Sequence, residues 1–171
     1  MADIDLAAIF NEANTIASLA QTTISGDLST RGSAIPQGKT TSDLTWPGKN
    51  RGPIGHSFSY GNVASDHGWA QPTQFSLLCT WDYGGTYQGL GLYIANVHLF
   101  LSIDNLTTGA ALDVSGTFDD PTPTGDHGSP VAQLAAHVTF NLSQFKGLNE
   151  VDRKTVNFTL RGDGAGTATI I

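Results

Sequence analysis

Ala110-Ala111-Leu112-Asp113-Val114-Ser115-Gly116-Thr117-Phe118 is the stretch whose reading decides the fold. Ala110, Leu112, Val114, Gly116 and Phe118 fall on one parity, and Ala111, Asp113, Ser115 and Thr117 on the other. Successive side chains of an extended chain point to opposite faces, so such a segment has one face for a core and one for water. The same alternation returns at Ala132, Leu134, Ala136, Val138, Phe140 and Leu142, and again at Val156, Phe158 and Leu160. Strands covered on a single face are typical of antiparallel sheets. The pattern predicts an all-β protein: an antiparallel β-sandwich or a closely related barrel.

Upstream, Ile54, His56, Phe58 and Tyr60 alternate as a first clear strand, and Phe75, Leu77, Cys79, Trp81 and Tyr83 as a second. Gly84 and Gly85 are expected to turn the chain into a third stretch, Leu90 to Ile103. Its phase slips, with Leu90, Leu92 and Ile94 on one parity and Val97, Leu99, Leu101 and Ile103 on the other. A β-bulge near Ala95 and Asn96 or burial on both faces would produce that slip. Asp104 to Gly109 and Arg161 to Gly166 read as hairpin loops. Residues 27 to 53 read as an extended connection, with room for one short strand around Asp43 to Trp46.

The N-terminus departs from this pattern. Leu6, Ile9, Phe10, Ala13, Ile16, Ala17, Ala20 and Ile24 follow helical spacing, with Asp3 placed to cap the first turn and Gly26 to end the last. The expected organisation is an amphipathic helix within residues 1–26, followed by one β domain over residues 27–171. Such a helix would pack on the sheet, pair with another chain or enter a membrane interface. It contains no Lys or Arg, which disfavours the last of these.

Only 13% of the 171 residues are charged, against roughly 25% in an average domain. The net charge of −7 leaves no cation surplus for nonspecific nucleic-acid binding or for attraction to anionic lipid. Neutral sugars, zwitterionic headgroups and other proteins remain as partners. Cys79 is the single cysteine, so no intrachain disulfide forms, and its place in an apolar strand predicts a buried thiol. The first residues carry no Sec-type signal, and no apolar run approaches the roughly 20 residues of a spanning helix. The expected location is cytoplasmic, or outside the cell by a non-classical route. The sequons at Asn105, Asn141 and Asn157 are then ordinary residues of strand edges and turns.

Catalytic patterns are sparse. Asp66-His67-Gly68 and Asp126-His127-Gly128, with Asp119 and Asp120, are the one grouping with metal-ligand chemistry. Asp and Gly are also what tight turns require, and that reading is taken, with no metal and no cofactor. No nucleophile elbow and no phosphate-cradling loop are present, so a non-enzymatic protein is expected. Arg161-Gly162-Asp163 matches an adhesion tripeptide but is explained by hairpin geometry. Aromatic residues are the better lead. Trp46, Tyr60, Trp69, Trp81, Tyr83, Tyr87 and Tyr93 all lie between residues 46 and 93, several beside glycine. Such rings stack on sugars and cage choline-type headgroups.

The order of several short segments resembles the actinoporin-like family of pore-forming, membrane-binding β-sandwiches. The segments are Ala2-Asp3-Ile4 with its amphipathic stretch, Thr41-Ser42-Asp43-Leu44, Lys49-Asn50-Arg51-Gly52-Pro53-Ile54, Phe75 to Tyr83 ending in Trp81-Asp82-Tyr83, and Asn141-Leu142-Ser143-Gln144-Phe145-Lys146-Gly147. Thr80 stands where that family carries a proline, and no tyrosine follows Tyr93. The resemblance implies a β-sandwich whose Trp81, Tyr83 and Tyr87 contact a lipid headgroup, with Arg51 at the lip. Trp69, a loop aromatic beside Gly68, completes the expected ligand-binding set.

The functional expectation is a binding protein whose aromatic loops recognise a neutral lipid headgroup or a glycan. In the stronger form it is a pore-forming cytolysin that oligomerises at a membrane. The alternative is a structural or assembly subunit with a jelly-roll-like β fold, using its N-terminal helix for contacts in a homo-oligomer.

Overall fold

The computed structural model describes residues 23–27, 30–48, 50–63, 71–107, 109–126, 129–144 and 149–171. These form ten strands: β1 (Thr23–Asp27), β2 (Thr30–Ala34), β3 (Arg51–Val63), β4 (Gln71–Tyr87), β5 (Leu90–Asn105), β6 (Ala111–Phe118), β7 (Thr122–Thr124), β8 (Val131–Gln144), β9 (Asn149–Arg161) and β10 (Gly166–Ile170). A 3-10 turn, Thr41–Asp43, is the one helical element among the described residues. The described residues are all-β, as the alternation predicts.

The strands make two layers. In one, β8 is central, with β9 and then β10 on one side; on its other side β6 and β7 both pair directly with β8, and β1 lies outside β6. In the second, β4 and β5 are central, β3 borders β4, and β2 borders β5. The layers are stitched into a nearly closed, barrel-like sheet at one corner, where Leu92 of β5 pairs with Val131 of β8. The Leu92 N–H donates to Pro130 O there at 2.8 Å. On the opposite side Tyr60 of β3 donates through its hydroxyl to Asp152 of β9 at 2.6 Å.

Alternation places the core as expected. Leu112 and Val114, Leu134 to Leu142 on alternate residues, and Val156, Phe158 and Leu160 face Phe75, Leu77, Cys79, Trp81, Val97 and Leu99 of the other layer. Phe58, Phe75 and Phe140 interlock at its centre, with Phe58–Phe140 centroids 4.5 Å apart and edge-on. The phase slip in β5 is a bulge. Thr80 pairs with His98 and Asp82 with Ala95, so two residues of β5 oppose Trp81, and Asn96 takes a positive φ of 49°.

Several expectations are corrected. The sheet is mixed, because β1 runs parallel to β6 and β5 meets β8 in parallel. Alternation reports which face is buried and carries no information about strand direction. Residues 104–109 do not close a hairpin, since β5 and β6 belong to different layers. The crossing is pinned instead by buried Thr107, whose hydroxyl lies 2.8 Å from that of Thr73. The turn after β4 is Gln88-Gly89, both with positive φ, as a type I′ hairpin requires. Gly84 and Gly85 lie within the strand. Around Asp43 to Trp46 the chain forms the 3-10 turn and a single bridge, Thr45 to Thr86. The expected helix lies outside the described residues as far as residue 22. Thr23 and Ile24 belong to β1, so the boundary at residue 26 falls inside a strand.

Candidate functional site

Trp46, Tyr83, Tyr87 and Tyr93 lie around the end of β4 and the start of β5, and three of these rings rest against glycines. A Cβ on Gly85 would come 2.5 Å from the Trp46 ring, one on Gly164 2.7 Å from Tyr83, and one on Gly91 2.6 Å from Tyr93. Gly85 also pairs with Tyr93 across the ladder. Glycine lets a ring settle flat on the backbone, and each of these rings stays half-buried with part of its surface facing outward. The Trp46 indole is fixed further by donating to Thr41 O at 2.9 Å.

Beside this group lies a groove of about 260 Å³, lined by Tyr93, Ile35, Pro36, Pro121, Pro123 and Pro130, among others. Rigid proline rings and a tyrosine make a preformed, largely apolar wall. The turn that follows, in which Lys39 N–H donates to Pro36 O, sets the Lys39 ammonium 5.1 Å over the Tyr87 ring. That is a cation–π position, so the Tyr87 face accepts a cationic group.

Of the five residues expected to bind ligand, the four that are described do not share one surface. Trp81 is 2% exposed, facing the core between Gly52 and Gly166, and its indole donates to Arg161 O at 3.2 Å. Its ring is therefore a structural element and presents no face to a ligand. Tyr83 is half-buried beside it, with ring centroids 6.4 Å apart. Tyr87 is half-buried under Lys39. Arg51 lies on the opposite side of its sheet, paired with Asp82 at 2.7 Å. Trp69 lies outside the described residues. Trp46 and Tyr93 are the other half-buried rings of this end, and each lies against a glycine, Gly85 and Gly91 respectively.

Around Asp82 burial raises the carboxyl pKa. Hydrogen bonds from Arg51 and from Asn96 (2.6 Å), with the Arg51 charge, outweigh burial and hold it below the ordinary carboxylate range. The Arg161-Gly162-Asp163 hairpin is closed on itself, since the Arg161 guanidinium lies 2.7 Å from Asp163. A side chain on Gly162 would collide with the Leu92 carbonyl. Cys79 is fully buried and burial pushes its thiol up to about 12. Among the described residues no three His, Cys, Asp or Glu side chains converge for a metal. Of the two Asp-His-Gly loops, only Asp126 is described. Among the described residues no helix is long and apolar enough to cross a membrane.

Set against protein-family models, curated proteins and solved structures, the chain matches none of them.

Proposed function

We propose that the chain is a non-enzymatic binding protein whose aromatic end takes up a neutral ligand, a zwitterionic lipid headgroup or a glycan. The observation that carries this reading is the proline-walled groove at Tyr93 beside the glycine-seated rings of Trp46 and Tyr83 and the ring of Tyr87. Preformed apolar walls with few polar groups are how small-ligand sites are generally built. Tyr87 already holds an ammonium over its face, which a choline group would replace. The net charge of −7 fits a partner without negative charge. In its stronger form, in line with the actinoporin-like resemblance, binding at a membrane leads to oligomerisation and a pore.

Co-sedimentation with dye-loaded phosphatidylcholine vesicles, with and without sphingomyelin, tests the reading, with binding and leakage read in one tube. Binding lost in Tyr87→Ala and Tyr93→Ala, with the melting curve retained, supports a headgroup site. Leakage in addition supports the pore. No binding to vesicles moves the site to glycans, and silence on a glycan array as well overturns the reading. A second reading, an assembly subunit, is favoured by the exposed Ile170 and Ile171 at the end of β10. It predicts a defined large particle by light scattering in the absence of any ligand.

A further inference from the structure

The outer face of the β6–β8–β9 layer carries a second cluster, distant in kind from the aromatic end. The ladder sets Asp113 opposite Asn141 and Asn141 opposite Arg153, and in the next outward row Ser115 opposite Thr139 and Thr139 opposite Thr155. Asp113, Ser115, Thr139, Asn141 and Arg153 line a depression of about 250 Å³. Adjacent strands lie about 4.8 Å apart, so Asp113 and Arg153 flank Asn141 across roughly 10 Å.

Three groups here lack partners. Among the described residues neither the Asp113 carboxylate nor the Arg153 guanidinium makes an ion pair or a side-chain hydrogen bond. The Asn141 Oδ1 atom is buried from solvent without a donor. A buried acceptor left unpaired is unfavourable and is uncommon in native structures. Within the depression itself Thr139 is satisfied, its hydroxyl lying 2.8 Å from that of Thr155. In the depression the buried Asn141 acceptor thus lies between two charged groups that are themselves without partners.

We infer that this depression is a saccharide subsite, taking one neutral pyranose unit of a glycan through its hydroxyl groups. A hydroxyl both donates and accepts, which suits a floor with an acceptor on one side (Asp113), a donor on the other (Arg153) and the Asn141 acceptor between them. One acid and one base balance, so the site favours a neutral ligand; a phosphate would meet Asp113. A peptide strand finds no backbone to pair with, because both edges of β8 are occupied by β6 and β9. The inference is independent of the ligand at the aromatic end.

The test is an amide NMR titration of the full chain with methyl glycosides of glucose, mannose, galactose and N-acetylglucosamine, raised to tens of millimolar. At least one should shift the amides of Asp113, Ser115, Thr139, Asn141 and Arg153 together. Asp113→Asn and Arg153→Gln, both exposed and close in shape to the parent, should each weaken that binding by about tenfold or more. Lys39→Gln, at the aromatic end, should leave it unchanged. If no glycoside shifts these amides, or the shifts survive both substitutions, the subsite does not exist. Shifts confined to the surroundings of Tyr93 would also overturn it, while supporting the aromatic-end reading.

Discussion

The indole N–H of Trp81 on β4 donates to the carbonyl of Arg161 at the end of β9, 3.2 Å away, and so ties one layer of the barrel to the other. The ring lies over Gly52 of the neighbouring strand and against Gly166 of β10, so it fills the seam between β3 and β10. Removing it leaves a large cavity at a closure point and an unpaired carbonyl. Trp81→Ala should therefore destabilise the fold by about 3–5 kcal/mol, the range for truncating a buried large aromatic. Urea unfolding followed by circular dichroism measures this. A midpoint close to the parent's would show that the ring is dispensable to the fold.

The rings seated on glycine give a graded prediction. Gly89 and Gly164 both have positive φ, 78° and 89°. A side chain at Gly89 meets open space, so Gly89→Ala should cost only the left-handed strain, roughly 1–2 kcal/mol. At Gly164 the same strain is joined by collision with the Tyr83 ring. Gly164→Ala should be the more destabilising of the two and should displace Tyr83, lowering any affinity that the aromatic end shows. Equal unfolding midpoints for the two variants would argue that Tyr83 does not depend on Gly164 for its place.

The strands and the core face were legible from sequence because period-two alternation is a local signal. Leu112 to Val114 and Val156 to Leu160 are buried as their parity requires. The bulge at Asn96 was legible for the same reason, since a residue too many shifts the parity of all that follows. Which strands pair was not. The passage from β5 to β6 contains the Gly and Asn of a hairpin but crosses between layers, and only long-range contacts such as Thr73–Thr107 decide that. Among the aromatic residues, residue type did not separate the buried rings from those that reach the surface. Trp81 and Tyr83 differ by one strand step pair, yet the first is sealed by Gly166 of a strand more than eighty residues later, and the second reaches the surface.

Cys79 offers a probe of that core. The thiol is fully buried and its pKa is pushed up to about 12, so the reactive thiolate is scarce at neutral pH and shielded as well. Labelling by iodoacetamide at pH 7.5 should be negligible in the folded protein and should appear in step with unfolding as urea is raised. Rapid labelling without denaturant would mean that β4 opens locally around Cys79.

His137, on the outer face of β8, sets the pH response. Its Nδ1 lies 2.6 Å from Asn157 Oδ1 and its Nε2 3.0 Å from Asp119 Oδ2. Both partners are acceptors, so both ring nitrogens donate only when the imidazole is protonated. The bond to Asn157, followed by the bond to Asp119, outweighs burial and raises the pKa above the ordinary histidine value. A group whose charged form is favoured in the folded state adds stability below its unfolded pKa, about 6.5, and that stability is lost as pH rises through the higher folded value. With the histidine side chain 36% exposed, solvent screening keeps the contribution modest. The His137 ring should titrate by NMR with a midpoint above that of a free histidine. Asn157→Ala and Asp119→Asn should each lower that midpoint. The melting temperature should decline between the two pKa values in the parent and be flatter in His137→Gln. A midpoint at or below the ordinary value would mean that the two acceptors do not hold the protonated ring.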